Sequence, residues 1–258
     1  MKIAVSGKGG VGKTTLAAAL ILLMVHRELK VLALDADPDA NLASAIGITS
    51  RKQEQIIPIS RQVALIEERT GAKVRKYGQI FKLNPEVSDI AERFAYHHRG
   101  ASLLVLGAVD RGGGGCACPE NVLMRALVTD LVLHKDDVLI MDMEAGVEHL
   151  GRATASGVDT MIIVVEPGQR AVDSTRRILR LAHDIGLKDI RLVANKITKP
   201  EDEQFLQEAF PENTFLGMIP YHEELRRVDR DGCSVLDGLS DDVICCFKDI
   251  LNNLEAVS

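Results

Sequence analysis

The sequence has no tryptophan, and its 3 Tyr and 6 Phe make up only 3% of 258 residues. So small an aromatic inventory offers no platform on which single-stranded bases could stack. A cationic surplus is also missing: 31 Lys and Arg stand against 37 Asp and Glu, for a net charge of −6. No bulk field holds nucleic acid, and no nucleic-acid partner is expected. The longest apolar run, Leu16 to Val25, ends at His26-Arg27 after ten residues. That is about half the ~20 needed to cross a bilayer, so it reads as a buried helix and no membrane partner is expected. The strand pattern Lys2-Ile3-Ala4-Val5 follows Met1 with no secretory leader before it, which predicts a cytoplasmic protein. In that setting Cys116, Cys118, Cys233, Cys245 and Cys246 point to metal or redox chemistry rather than structural disulfides.

What is present is an ordinary globular balance, 46% apolar and 26% charged. Short apolar runs recur at Ile3–Val5, Val31–Leu34, Leu103–Leu106, Val138–Met141, Met161–Val165 and Leu192–Ala194, with helical patterns between them. That alternation predicts an α/β fold, a mostly parallel central sheet with helices on both faces. Residues 1–258 read as a single domain, with a helical insertion at about 49–100 where no strong strand pattern occurs. Four consecutive glycines, Gly112 to Gly115, mark a loop.

Gly7-Lys8-Gly9-Gly10-Val11-Gly12-Lys13-Thr14 fits G-x-x-x-x-G-K-[ST] between a strand and an apolar helix, with Thr15 next in line. Glycines turn backbone N–H groups toward phosphates, Lys13 reaches the outer phosphates, and the Thr14 hydroxyl suits Mg²⁺. Water attack on a phosphoryl group also needs carboxylates at strand ends facing the loop. Asp37, before Pro38, and Asp142, closing the run Leu139-Ile140-Met141, meet that need. Asn195-Lys196 after one strand, and Ile219-Pro220-Tyr221 later, fall where late loops read a base. Thr198 stands where a guanine-reading Asp would be, which favours ATP/ADP as the nucleotide.

Lys8 is a second lysine inside the loop, and K-G-G-x-G-K-T-T resembles the deviant phosphate-loop ATPases, the group of the nitrogenase iron protein, MinD, ParA and the arsenite-pump ATPase. The resemblance implies a phosphate-loop NTPase fold of the nitrogenase iron protein/MinD type and a homodimer in which Lys8 reaches the partner's nucleotide. It also implies a water-orienting role for Asp37, a Mg²⁺ held through water by Asp142, and adenine contacts at Asn195, Lys196 and Pro220.

Cys116-Ala117-Cys118 follows the glycine run and precedes a helical pattern opened by Pro119. Thiols at i and i+2 near a helix N-terminus, with a lowered pKa expected there, suit Ni²⁺, Zn²⁺, Cu⁺ or an Fe–S cluster. Two ligands do not complete a four-coordinate site; a two-fold dimer would supply two from each chain. Seven residues beyond Asp142, where the iron protein carries a cluster Cys, stands His149. The C-x-C together with Glu148-His149-Leu150 instead resembles the CooC-type nickel-insertion ATPases of carbon monoxide dehydrogenase. That resemblance implies Ni²⁺ or Zn²⁺ shared across the dimer by Cys116 and Cys118, with carbon monoxide dehydrogenase or acetyl-CoA synthase as acceptor. A MinD/ParA-like spatial regulator and an Fe–S scaffold or electron donor are the alternatives. His97-His98 reads as a polar surface pair, and Cys245-Cys246 as small hydrophobes on a buried helical face.

Overall fold

The computed structural model describes residues 1–74, 76, 78–108, 118–147 and 150–256. Among them the apolar runs become strands of one sheet: β1 (Lys2–Gly7), β2 (Val31–Ala36), β3 (Tyr96–His98), β4 (Ala101–Val105), β5 (Val138–Met143), β6 (Thr160–Val165), β7 (Ile190–Ile197) and β8 (Phe215–Pro220). Their order is β3-β4-β2-β5-β1-β6-β7-β8. The β3/β4 hairpin is antiparallel and the other neighbours are parallel. Parallel strands buried on both faces read as continuous apolar runs, which is why six of them were visible as such. β3 and β8 were not, because β3 is a short Tyr-His-His edge and β8 carries Gly217 and Pro220 within its span. Pro220, expected on a loop, is the last residue of β8.

The helices are α1 (Lys13–His26), α2 (Leu42–Ala45), α3 (Ser50–Gln53), α4 (Val63–Thr70), α5 (Ile90–Phe94), α6 (Pro119–His134), α7 (Arg152–Ala155), α8 (Gln169–Asp184), α9 (Pro200–Ala209), α10 (Glu223–Asp231) and α11 (Asp241–Glu255). Side chains alternate across each strand. Ile3 and Val5 join a core with α1, α2 and α11, while Ala4 joins one with α4, α6, α8 and α9. α1 is buried from Leu16 to Met24 on nearly every side, so it lies beneath α11 rather than on the surface. Residues 49–100 hold α3, a 3₁₀ turn at Ile59–Arg61, α4, α5 and β3.

One expectation fails on α11. Its buried face is Val243, Phe247, Ile250, Leu251 and Leu254, and helical rotation carries the vicinal cysteines off that face. Cys245 is exposed and Cys246 is half-buried. No helix among the described residues is long and apolar enough to cross a membrane.

Candidate active site

The phosphate loop leaves β1 at the carboxyl edge of the sheet and enters α1 directly. Gly12 precedes α1 with φ 99°, a left-handed backbone open to glycine at little cost. A Cβ there would lie 2.3 Å from Asn195 Nδ2. At the other end, a Cβ on Gly7 would meet the Val164 carbonyl at 2.5 Å. Both glycines therefore allow close backbone approach. Gly9 and Gly10 are exposed at the loop tip, whereas Val11 and Lys13 are buried.

β7 braces this loop. Asn195 Nδ2 donates to the Val11 carbonyl at 2.7 Å, and Asn195 Oδ1 accepts from the Lys196 amide at 2.8 Å. Lys196, held at φ 59°, donates from Nζ to the Gly10 carbonyl at 2.6 Å and to Glu166 Oε2 at 2.8 Å. Lys8 Nζ lies 3.8 Å from Glu166 Oε1. Asn195 and Lys196, singled out as base contacts, thus bind phosphate-loop backbone in this structure. Glu166 received no role from its sequence context; only its side chain's position between two lysines discloses it.

Register assembles the carboxylates. Val5 pairs with Asp142 across β1 and β5, and Asp35 pairs with Asp142 across β2 and β5. Thr14 Oγ1 donates to Asp142 Oδ2 at 2.6 Å, and Lys13 Nζ lies 3.8 Å from Asp37 Oδ2. Asp35 accepts from the Leu42 amide at 2.9 Å and from the Asp37 amide at 3.3 Å, so it shapes the turn that presents Asp37. Asp35 follows the apolar run of β2 as Asp142 follows that of β5, and that shared strand-end position is its signal in the sequence. Burial, joined by the neighbouring Asp142 charge, pushes its pKa up to about 7 against the opposing backbone hydrogen bonds from Leu42 and Asp37. Burial likewise raises Asp142 to about 6, against the opposing Thr14 hydrogen bond and Lys13 charge.

Asp142 Oδ1 is buried with no hydrogen-bond partner, and the Thr14 hydroxyl stands beside the same carboxylate. A hard oxygen set with one unmet acceptor fits Mg²⁺, which typically takes one or two protein ligands and completes its shell with water and phosphate. Among the described residues no three His, Cys, Asp or Glu converge as a metal cage.

The thiol region is described only in part. Cys116, Glu148 and His149 lie outside the described residues. Cys118 caps α6, its Sγ accepting from the Asn121 amide at 3.5 Å. Burial, together with Glu120, raises its pKa, outweighing the Asn121 amide. The lowered pKa expected from a helix N-terminus is therefore corrected: desolvation disfavours the thiolate more than the helix end favours it. His97 is exposed and shares a hydrogen bond with Ser102, while His98 is half-buried.

Residues 2–235 match the CobQ/CobB/MinD/ParA nucleotide binding domain, and the chain belongs to that family as a phosphate-loop ATPase. It is 43% identical to the carbon monoxide dehydrogenase accessory protein CooC of Rhodospirillum rubrum over 237 residues, 92% of this chain and 90% of that one. An uncharacterized ATP-binding protein of Methanocaldococcus jannaschii is 44% identical over 228 residues, 87% of each chain. Among solved structures, the MinC:MinD cell division complex of Aquifex aeolicus superposes with a TM-score of 0.70 at 19% identity, over 99% of this chain and 96% of that one. The cell division ATPase MinD of Pyrococcus furiosus gives 0.68 at 21%, over 100% and 99%. These structural likenesses speak to fold alone.

Proposed function

We propose that the chain is one ATPase domain that works as a homodimeric metallochaperone, binding nickel and assisting its insertion into carbon monoxide dehydrogenase or, as a close variant, acetyl-CoA synthase. The observation that carries this reading is the 43% identity to CooC across nine-tenths of both chains. ATP is the substrate. Backbone N–H groups from Gly9 to Thr15 and the Lys13 ammonium bind its phosphates, with Asn195, Lys196 and Pro220 on the base side. Asp37 orients water for attack on the γ-phosphorus, and ADP leaves with the broken bond's electrons. Thr14 directly, and Asp142 through water, would hold Mg²⁺, which neutralises charge on the β- and γ-phosphate oxygens. Lys8 serves the partner's nucleotide once it leaves Glu166.

Cys116 and Cys118 from each chain hold Ni²⁺, or Zn²⁺ in its place, as cargo at the dimer axis. A spatial regulator of the MinD type is the less favoured reading. The structural likeness to MinD supports only the fold, and the acidic tail after Ser240 (Asp241, Asp242) disfavours an anionic lipid surface. The test is activation of nickel-free carbon monoxide dehydrogenase by purified protein, Ni²⁺ and Mg·ATP. Activation that requires ATP and is lost in Lys13→Ala supports the reading; equal activation by Ni²⁺ alone overturns it.

A further inference from the structure

β1 and β5 stay in parallel register as far as Val5 and Asp142. β5 then ends at Met143, and in the following turn Glu144 is half-buried, Ala145 exposed and Gly146 buried, so the Gly146 backbone groups need partners other than water. Ser6, fully buried in β1, fills that role with one hydroxyl. Its Oγ donates toward the Glu144 carbonyl at 3.1 Å and the Gly146 carbonyl at 3.0 Å, and it accepts the Gly146 N–H at 3.2 Å. Both ends of the turn are thereby pinned to the residue immediately before the phosphate loop.

We propose that Ser6 is a positioning residue for ATP hydrolysis: its hydroxyl clasps the turn Glu144–Gly146 to β1, so that the phosphate loop and the segment following Asp142 move as one unit. The inference rests on the ATPase reading proposed above and takes the segment that follows the Mg²⁺-side carboxylate Asp142 to be a nucleotide-sensing switch. In nucleotide-driven proteins such segments have two discrete arrangements set by contacts at the γ-phosphate. A switch tied to the phosphate loop by a side chain responds to what the loop holds, whereas an untied one wanders among arrangements and reaches the competent one less often. Alanine would remove the hydroxyl and leave the Gly146 N–H and two carbonyls seeking other partners.

The experiment compares wild type, Ser6→Ala, Ser6→Thr and Asp142→Asn in Mg·ATP turnover, with hydrogen exchange followed across the chain. Ser6→Ala is expected to lower kcat about 10-fold or more while KM for ATP stays within about 2-fold. Its exchange should quicken across residues 143–147 and stay at the wild-type rate in β1 and α1. Ser6→Thr, which keeps the hydroxyl, should recover most of the lost kcat. A wild-type kcat in Ser6→Ala overturns the proposal, as does faster exchange spread evenly over β1, α1 and the turn. So does a Ser6→Thr variant whose 143–147 exchange is restored while kcat is not. Asp142→Asn separates the layers of the argument: loss of turnover there with none in Ser6→Ala removes only the clasp, whereas normal turnover in Asp142→Asn removes the switch reading beneath it.

Discussion

The phosphate loop and the approach to Cys118 stand in contrast. The first is clamped from within its own chain, Val11 by Asn195 and Gly10 by Lys196, with Lys13 buried behind it. The second presents a half-buried thiol whose burial raises its pKa, at the start of α6 rather than inside a ligand cage. A site complete in one chain can bind its ligand as a monomer. A thiol whose pKa is raised gives up its proton less readily, so a metal that binds it must displace that proton. On the proposed function, that difference would separate the work of holding nucleotide from the work of holding cargo.

The largest effect should come from breaking the complete side. Lys13→Ala is expected to lose ATP binding by about 100-fold or more, the equivalent of at least ~2.7 kcal/mol. Lys8→Ala, whose side chain rests on Glu166, should retain binding while losing turnover and ATP-stabilised dimers. Titration with a fluorescent ATP analogue and sedimentation would check both, and equal loss of binding in the two variants would merge roles that are separate here. Next, Cys118→Ala should remove tight Ni²⁺ binding with ATP affinity unchanged, and the wild type should hold one ion per dimer. Because the thiol starts protonated, Ni²⁺ affinity should climb as pH rises, with protons released on binding; calorimetry in buffers of different ionisation enthalpy would detect them.

A smaller effect concerns the carboxylates. Asp35 and Asp142 have folded-state pKa values raised to about 7 and about 6. These two sites of the folded apo chain therefore bind more protons than in the unfolded one between pH 4 and 7, and their contribution to stability falls as pH rises through that window. Thermal midpoints of the apo protein should decline accordingly, by about 2–4 °C per kcal/mol for a chain of this size. Mg·ATP should flatten the slope by supplying positive charge beside the ionised pair. A midpoint that rises across the window would contradict the burial of this pair. The smallest effect is on α11, where Cys245→Ala, at an exposed position, should change stability by no more than about 0.5 kcal/mol in chemical denaturation.

Much of this arrangement was legible because parallel strands buried on both faces leave unbroken apolar runs, and because phosphate binding demands glycines at fixed spacing. Lys13, Thr14 and Asp142 could be named from such patterns, and the structure brings Thr14 and Asp142 into contact. Less legible was everything that depends on tertiary approach. Asn195 and Lys196 could be placed at the right sheet edge, yet their bonds to Val11 and Gly10 arise from the β7 backbone, where Lys196 takes a positive φ. Ser6 acts through Glu144 and Gly146, far away in sequence, so no local spacing discloses it. The α11 cysteines differ for another reason: their apolar neighbourhood is plain in the sequence, but the buried face runs through Val243, Phe247 and Ile250, and helical rotation turns the vicinal pair away from it.

The central place of β1 in the sheet carries a consequence for how the protein is made. β1 and α1 are synthesised well before the strands that flank β1, which begin at Val138 and Thr160, beyond the midpoint of the 258 residues. At about 5–20 residues per second, the apolar α1 waits roughly ten seconds or longer for the surfaces that will cover it. Such long-range pairing is slow to form and leaves greasy segments open to mispairing meanwhile. Nucleotide capture by a nascent chain would therefore report that synthesis has passed β6 and β7, and chaperone demand should concentrate on intermediates arrested before Val138.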